Sequence, residues 1–320
     1  MSAPPDLYGR DRPDRMFGLL RPVAAAHLWF SRRGVRGHRP VPAVDRDLPL
    51  TVVDRRLEAV DVVSLTLASG SDLPPWEPGC HLDVRLPSGL RRQYSLCGDP
   101  ADRRTYRIAV RRVGEASAQV HSSVRIGDPI TVQGPRTAFP LVGAGPHVFV
   151  AGGIGITPLL PMLRASPAGY LVYCGRSLDS MPFLDELADL RDRVRVLTGI
   201  PSAEEILSSA PAGASVYACG PPPMLDAVRA AWSGPVHFER FSPPPIVDGD
   251  PFEVQLGAGG PVVPVSGVES ALTALRRVRP ETVYSCGQGF CGTCRVRVLS
   301  TDDTFLPCTE RATGRVVLDL

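Results

Sequence analysis

Four cysteines close together near the carboxyl end constrain the architecture of this chain more than any other feature of its sequence. The first three are spaced C-x₄-C-x₂-C, which is the ligand spacing of plant-type [2Fe–2S] proteins. Glycines between them leave room for the backbone to wrap closely around a cluster and to point N–H groups at sulfur. Zinc sites usually carry C-x₂-C pairs in both halves, and only one half has such a pair here, so zinc and unligated thiols remain as alternatives. The predicted metal ligands are Cys286, Cys291, Cys294 and Cys308.

The segment between Cys294 and Cys308 is shorter than the corresponding segment of plant-type ferredoxins usually is. A strand after Cys294, a turn over TDDT and a returning strand before Cys308 would form a simple hairpin centred on residue 301. Such a hairpin places the two cysteines opposite each other. We therefore expect the short connection to close on the cluster.

The composition is that of a folded, loop-rich chain, since 43% of the residues are hydrophobic and Gly and Pro number 31 and 34. The 35 basic residues, all arginine, nearly balance 33 acidic ones, and the net charge of +2 argues against a general nucleic-acid binder. No apolar run approaches the roughly 18 residues that a membrane-spanning helix needs. The clustering of the cysteines favours a metal centre in a reducing compartment, so we expect a cytoplasmic protein.

The pattern of short segments divides the chain into five parts. The first is rich in Arg and Pro and contains one apolar stretch, for which we expect an N-terminal helix, with a signal peptide as the alternative. The second has alternating segments typical of an antiparallel β-barrel, and the third alternates apolar runs with helical patterns, as parallel βαβ units do. A Pro-rich stretch then predicts a stiff linker before the part that carries the cysteines. The predicted bounds are 1–46 for the extension, 47–145 for the barrel, 146–241 for the α/β domain, 242–251 for the linker and 252–320 for the last domain.

A glycine-rich turn follows the first strand pattern of the α/β part, in the sequence HVFVAGGIGITP of residues 147–158. Its glycines would let the backbone approach a pyrophosphate, and the start of the following helix would supply free N–H groups and a positive dipole end. The turn lacks the G-x-G-x-x-G pattern of many dehydrogenases, so taken alone it could also be a mere tight turn. The candidate residues are Gly152, Gly153, Gly155 and Thr157.

A second glycine-bearing strand end, CGPPPML, strengthens that interpretation, because ligands of parallel sheets bind at the carboxyl ends of strands. This segment contributes Cys219 and Gly220. At the end of the strand YLVYCGRS, Arg176 and Ser177 occupy the position from which an arginine could bind the 2′-phosphate of NADPH. A solvated arginine without a ligand is the alternative, so the choice between NADH and NADPH stays open.

The barrel part carries an R-x-Y-S motif in RRQYSLCGDP, with Arg92, Tyr94 and Ser95 on a predicted strand. An arginine can bind a phosphate in bidentate fashion, a tyrosine face can cover a planar ring, and a serine hydroxyl can bond a ring nitrogen. Ordinary strands also contain these residue types. The motif therefore gains its weight from the other three.

These four motifs, in this order, make the chain resemble the reductases of the phthalate dioxygenase and vanillate demethylase systems. The resemblance covers about residues 47–320. It implies a multidomain β and α/β fold: an antiparallel flavin-binding β-barrel, a parallel α/β domain that binds NADH or NADPH, and a C-terminal β-grasp ferredoxin domain with a [2Fe–2S] cluster. Members with this layout use FMN, whereas many relatives without the C-terminal cluster use FAD, so we expect FMN.

The resemblance also implies how the barrel holds the flavin. Arg92 would contact the flavin phosphate, Tyr94 would lie against the isoalloxazine, and Ser95 would reach its N5. One departure weakens the phosphate contact, because the family's loop often reads G-R-G-G-S whereas residues 114–117 read G-E-A-S, with a carboxylate where the phosphate should lie. Ser117 and its N–H group would still serve.

For the nicotinamide, the resemblance implies that the glycine-rich turn holds the dinucleotide and that Cys219 and Gly220 line the nicotinamide pocket. Glu239 and Phe241, in the segment HFERF, resemble the family's closing edge beside the flavin. Ser95, Cys219 and Glu239 are therefore the expected catalytic residues.

Electron counting explains why three redox groups would share one chain. A nicotinamide gives two electrons as hydride, an iron–sulfur centre accepts one at a time, and a flavin can connect the two. We expect an oxidoreductase that passes electrons from NAD(P)H through FMN to the cluster, and on to a Rieske-type or haem oxygenase that docks transiently on a monomer. The alternatives are a free-standing flavin reductase or diaphorase with a vestigial cluster, which the short loop before Cys308 favours, and a non-catalytic redox-sensing electron-transfer protein.

Overall fold

The computed structural model describes Pro22 and residues 47–137, 139–143, 145–241, 246, 248–284, 287–289, 292–301 and 303–320. The expected N-terminal helix, part of the Pro-rich stretch and the predicted ligands Cys286 and Cys291 lie outside the described residues. The chain divides into two compact units, 1–45 and 46–320, and every sheet described below belongs to the second.

An antiparallel sheet of six strands comes first in the chain. Its elements are β1 (Leu48–Ala59), β2 (Val62–Ala68), β3 (Cys80–Arg85), β4 (Arg91–Ser95), β5 (Thr105–Arg111) and β6 (Pro129–Thr137), with helix α1 (Glu115–Ser123) before the last strand. The strand order β4-β3-β6-β1-β2-β5 leaves β4 and β5 at the edges. A bridge between Leu96 and Ile108 joins those two edges, so the sheet closes into a barrel around a buried apolar core.

A parallel sheet of five strands follows. Its strands are β7 (His147–Gly152), β8 (Tyr170–Gly175), β9 (Val194–Thr198), β10 (Ser215–Cys219) and β11 (Val236–Glu239), and its α-helices are α2 (Ile156–Ala165), α3 (Ala203–Leu207) and α4 (Pro222–Ala231). In the strand order β11-β10-β7-β8-β9, the chain adds β8 and β9 on one side of β7 and then β10 and β11 on its other side, so the order of addition reverses between β7 and β10. Such a reversal opens a crevice at the carboxyl ends of the two strands, which is where α/β sheets bind ligands.

The carboxyl-terminal part contains a mixed sheet and a small hairpin. The strands are β12 (Phe252–Leu256), β13 (Val262–Val265), β14 (Val296–Arg297), β15 (Thr304–Phe305) and β16 (Arg315–Leu318), with helix α5 (Ala271–Val278) packed on the sheet. β13, β12 and β16 are neighbours, and β14 pairs with β15. Ser270 caps α5 by accepting from Thr273 N at 3.1 Å. Among the described residues, no helix has the length and apolarity to cross a bilayer.

The hairpin has the register expected from the sequence. Val296 pairs with Phe305 and Arg297 with Thr304, which centres the turn next to residue 301. The two strands therefore bring Cys294 and Cys308 back to the same end of the hairpin, and the short connection does close.

The barrel and the parallel sheet share one apolar core. Barrel residues Ala59, Val62 and Phe139 belong to the same buried group as Phe149 of β7 and Leu159 of α2. Because this core continues across both sheets, the barrel edge is held against the carboxyl ends of the parallel strands.

An ion pair at the margin of that core links the same two parts. Arg107 of β5 donates to both carboxylate oxygens of Glu186, with Nη2–Oε2 at 2.9 Å, and Arg164 of α2 donates to Oε2 at 2.9 Å. Burial alone would raise the pKa of Glu186, but the hydrogen bonds and charges of the two arginines outweigh it and lower that pKa. The charged form of Glu186 is therefore the one that stabilises the fold.

Replacing Glu186 by Gln should lower the free energy of unfolding at pH 7 by about 1–2 kcal/mol, because two arginines lose a charged acceptor. Since the folded-state pKa lies below the ordinary value of 4.5, the stabilisation is complete above that pH and is lost as the pH falls through the folded-state pKa. Urea unfolding at pH 7 and at successively lower pH should show the two proteins converging. Asp72→Asn, which removes an exposed ion pair with Arg104, is the control and should change stability by less than about 0.5 kcal/mol. Equal stability of wild type and Glu186→Gln at pH 7 would contradict this account.

Candidate functional site

A cavity of about 590 Å³ opens where β4, the start of α1, the glycine-rich turn after β7 and the start of α4 meet. Its volume lies in the range of small-molecule and cofactor sites. The fold therefore brings the barrel motif and both glycine-bearing strand ends around one space. The predicted site residues that line it are Arg92, Tyr94, Ser95, Ser117, Gly152, Gly155, Thr157, Gly220 and Phe241.

Tyr94 offers an uncharged aromatic surface to this cavity. Burial raises the pKa of Tyr94 to about 12, although the charge of Arg92 opposes the shift, so the hydroxyl stays protonated at neutral pH. The side chain also packs against the barrel core. A planar ring system can therefore lie against a tyrosine whose position the core holds.

Ser95 and Glu239 face each other between the barrel and the parallel sheet. The Ser95 hydroxyl donates to Glu239 Oε2 at 3.4 Å. Glu239 and Phe241 line a neighbouring cavity of about 560 Å³, which shares Ser95 and Arg92 with the first. Burial raises the pKa of Glu239 to about 7, against the effect of the Ser95 hydrogen bond. At neutral pH Glu239 can thus hold or release a proton beside the serine.

The opposite end of the cavity is suited to an anion. The first turn of α1 lines it, and the N–H groups at a helix start carry the positive end of the dipole. Ser117 Oγ accepts from the N–H groups of Val113 and Gly114, both at 2.9 Å, and donates to Gly114 O at 2.8 Å, which fixes the loop. Arg92 lines the same cavity, and its guanidinium donates hydrogen bonds to Arg91 O and to the hydroxyl of Tyr284. These groups fit a flavin phosphate.

The glycine-rich turn lies directly against the end of β10. A Cβ on Gly155 would stand 2.0 Å from Cys219 O, and one on Gly152 would stand 2.6 Å from Pro221 Cδ. Only glycine permits this approach, which leaves backbone rather than side chains along this stretch of the cavity. Thr157 Oγ1 donates to Ile154 O at 3.0 Å and so closes the turn at the start of α2.

Four of the residues predicted to bind the flavin or the nicotinamide dinucleotide do not line either cavity. Cys219 is fully buried, and burial together with the charge of Glu239 holds the pKa of its thiol well above the ordinary value. Gly153 adopts a left-handed conformation with φ of +54° and has open space around it. Arg176 and Ser177 lie exposed beyond the end of β8. Their assigned roles stay predictions.

The two described cysteines of the predicted cluster lie together. Cys294 Sγ and Cys308 Sγ are 3.3 Å apart, and both are buried beside Leu272 and Leu306. A disulfide would need about 2.05 Å, whereas two thiolates on one tetrahedral metal stand roughly 3.8 Å apart for bonds of about 2.3 Å. At 3.3 Å the two sulfur atoms are not joined by a disulfide, and they lie near the separation that two ligands of one metal ion have. Gly287, Gly289 and Gly292 have φ of +66°, +86° and +66°, as a loop wrapped around a cluster requires.

The four cysteines outside that cluster are all buried. Burial raises the pKa of Cys97 and of Cys174 to about 12, and it also raises the pKa of Cys80 and of Cys219. Their thiols therefore stay protonated at neutral pH, whereas metals bind thiolates.

Two residues of the carboxyl-terminal part line the flavin cavity without belonging to any motif. Arg276 lies in the last turn of α5, and Tyr284 precedes the first predicted cluster ligand by two positions. Arg276 resembles an ordinary surface charge on an amphipathic helix. The position of Tyr284 beside the cysteine run was the one available signal.

Three features together define a flavin-dependent iron–sulfur reductase. They are a barrel whose cavity can bind an anion and a planar ring, a crevice on a parallel sheet that is suited to a nucleotide, and a pair of buried cysteines. Residues 258–318 match the family model described as a 2Fe-2S iron-sulfur cluster binding domain. The chain is similar to phenoxybenzoate dioxygenase subunit beta of Ectopseudomonas oleovorans, with 41% identity over 269 residues. The match covers 77% of this chain and 84% of the relative. The chain is also similar to vanillate O-demethylase oxidoreductase of Pseudomonas putida, with 35% identity over 311 residues. This match covers 84% of this chain and 98% of the relative.

Among solved structures, the chain is similar to phthalate dioxygenase reductase, which is described as a modular structure for electron transfer from pyridine nucleotides to [2Fe–2S]. The match has a TM-score of 0.66 and 32% sequence identity, and it covers 88% of this chain and 100% of that one. The chain therefore belongs to this family of oxygenase reductases. The predicted fold class, the NAD(P)H-dependent oxidoreductase activity and the cofactors FMN and [2Fe–2S] are confirmed. The protein passes electrons from NAD(P)H through flavin and the cluster to an oxygenase. The domain bounds and the roles of single residues stay predictions.

The raised pKa of Glu239 predicts a pH-dependent stability. The flavin-free native state binds this proton more tightly than the unfolded chain, whose carboxyl has the ordinary value of 4.5. The stabilisation is therefore complete below about pH 4.5 and is lost as the pH rises through about 7. Glu239→Gln, which is neutral at every pH, should gain in Tm relative to wild type between pH 5.5 and 8.5. Glu204→Gln, at an exposed position of α3, should show no such trend, and a pH-independent difference for Glu239→Gln would refute the shift.

The contact of the glycine-rich turn with β10 predicts a strong effect of a single methyl group. Gly155→Ala would force the backbone apart, because its Cβ would overlap the carbonyl of Cys219. We expect a loss of about 2 kcal/mol or more in the free energy of unfolding and a weaker binding of NADH. Gly70→Ala, whose Cβ would meet nothing within 4 Å, is the control. Urea unfolding and NADH titration of both variants test this, and wild-type behaviour of Gly155→Ala would show that the turn is not tightly placed.

Proposed function

We propose that single residues of the cavity divide the work of the reductase as follows. Arg92 and the first turn of α1 hold the flavin phosphate, and Tyr94 supports the ring system. Ser95 donates a hydrogen bond at the reacting edge, where Glu239 holds or accepts a proton. The anion-binding end and the uncharged tyrosine surface of one cavity support this assignment.

The nicotinamide dinucleotide would enter along the crevice between β7 and β10. Gly152, Gly155 and Gly220 give it close access to backbone N–H groups, and Thr157 keeps the turn in shape. Phe241 lines the cavity and is 43% exposed, and it would exclude water from the surface of the flavin ring system. Bound FMN supplies the exchange between a two-electron donor and a one-electron acceptor.

The position of Tyr284 carries the proposal that electrons leave through the cluster. Tyr284 packs against the buried group that contains Cys294 and Cys308, and it also lines the flavin cavity. One side chain thus touches both cofactor sites. The separation between them is therefore short, and an internal transfer of single electrons is supported.

We further propose that the electron acceptor is an oxygenase with a Rieske-type centre or a haem, bound by transient docking on a monomeric reductase in the cytoplasm.

Arg176, exposed at the end of β8, is the candidate contact for the 2′-phosphate of NADPH. Exchange of NADPH for NADH in steady-state assays of wild type and Arg176→Ala decides this point.

An anaerobic NADH titration of the purified protein tests the electron path. In the wild type, the visible absorbance of flavin and of cluster should bleach together. In Cys308→Ser the flavin should still bleach, while cytochrome c reduction is abolished. Cys80→Ala removes a buried thiol of the barrel and should keep both properties.

Other outcomes of the same titration would identify the two alternatives. Bleaching of flavin alone in the wild type would indicate a free-standing flavin reductase. A protein that holds the cluster but consumes no NADH or NADPH would be a non-catalytic electron-transfer protein.

A further inference from the structure

The anion-binding end of the flavin cavity contains an unusual balance of charges. Arg92, Arg111, Arg276 and Glu115 all line it. Arg111 is neutralised by Asp61, with Nε–Oδ2 at 2.8 Å. Without Arg276, one arginine and one glutamate would remain, and their charges cancel. A phosphate monoester with a charge of about −1.5 to −2 would then face a site without net positive charge.

Arg276 reaches this site from the cluster-carrying part of the chain. Its Nη2 stands 3.8 Å from Glu115 Oε2, at the first residue of α1, and its Nη1 donates to the Tyr284 hydroxyl at 3.3 Å. The ion pair with Glu115 is long, and the glutamate side chain is 73% exposed, so it does not satisfy the guanidinium fully.

Tyr284 holds two guanidinium groups close together. The Arg92 Cζ lies 4.1 Å from the centre of its ring and the Arg276 Cζ lies 4.9 Å from it. Two like charges at one ring repel each other, and the cation–π attraction offsets this only in part. An anion placed between them and the start of α1 would remove the repulsion. The structure therefore has a cationic site formed jointly by the barrel and the carboxyl-terminal part.

We propose that Arg276 of the ferredoxin domain completes the flavin-phosphate site, so that FMN binding and the docking of this domain on the barrel stabilise each other. This inference rests on the proposed function, which assigns the phosphate to Arg92 and α1. The phosphate bridges two parts of the chain, and by thermodynamic linkage whatever tightens FMN binding also tightens docking. Riboflavin, which lacks the phosphate, cannot provide this bridge.

The test compares FMN with riboflavin on the full-length chain, stripped of flavin with its cluster in place. Affinities are measured from the quenching of flavin fluorescence. Arg276→Gln should weaken FMN binding by about tenfold or more, the effect of losing a charged hydrogen bond, and riboflavin binding by less than about twofold. Arg279→Gln, whose partner is Glu281, should change neither affinity. An unchanged ratio of FMN to riboflavin affinity in Arg276→Gln would overturn the inference.

Glu115→Gln separates two ways in which Arg276 could act. If Arg276 only offsets the glutamate, its replacement should have no effect on FMN binding once Glu115 is glutamine. If it bears on the phosphate, as we propose, Arg276→Gln should still weaken FMN binding in the Glu115→Gln background. Loss of the effect in the double variant would contradict the proposal. Thermal unfolding of the unliganded variants controls for damage to the fold.

Hydrogen exchange gives a readout that does not depend on affinity. In the wild type, saturating FMN should slow amide exchange in α5 more than saturating riboflavin does, and Arg276→Gln should abolish that difference. Equal protection of α5 by both flavins in the wild type would overturn the coupling while leaving the reductase function intact. A wild type that binds neither flavin would instead overturn the proposed function and this inference with it.

Discussion

The contact between the glycine-rich turn after β7 and the end of β10 is the constraint on which the rest of the site depends. These two strand ends meet where the order of the parallel sheet reverses, and Gly155 lies against the carbonyl of Cys219 with no room for a side chain. The crevice is therefore lined by backbone at this point. The shared apolar core then sets the barrel edge, with Tyr94 and Ser95, over the same crevice. A nucleotide and a flavin can meet there because both surfaces are fixed by packing.

Polar contacts join the described residues of the carboxyl-terminal part to this arrangement. Arg92 and Arg276 lie on Tyr284, and Gln288 Nε2 donates to Arg240 O at 2.7 Å next to the end of β11. The cluster-bearing part is thus placed at the flavin cavity by the same side chains that determine the charge of the cavity.

Local patterns were sufficient to predict the two glycine-bearing turns and the hairpin between Cys294 and Cys308. The turn after β7, the R-x-Y-S strand and the register of Val296 with Phe305 all follow from glycine positions, alternation and turn length. Cys219 was harder to place, because β10 is covered on both faces and its buried residues show no alternation that marks the ligand side. Arg276 could not be found from sequence, and the only signal for Tyr284 was its position beside the cysteine run. Tyr284 accepts a hydrogen bond from Arg92, almost two hundred positions earlier, and Arg276 lies on the same tyrosine, so only the tertiary fold brings the three together.

Burial of the isolated cysteines separates four sulfur atoms of the chain from solvent. Cys80, Cys97, Cys174 and Cys219 are all buried in the barrel and the parallel sheet, and burial raises the pKa of each thiol. Iron, sulfide and oxidants in solution therefore reach these four sulfur atoms only when the fold opens locally.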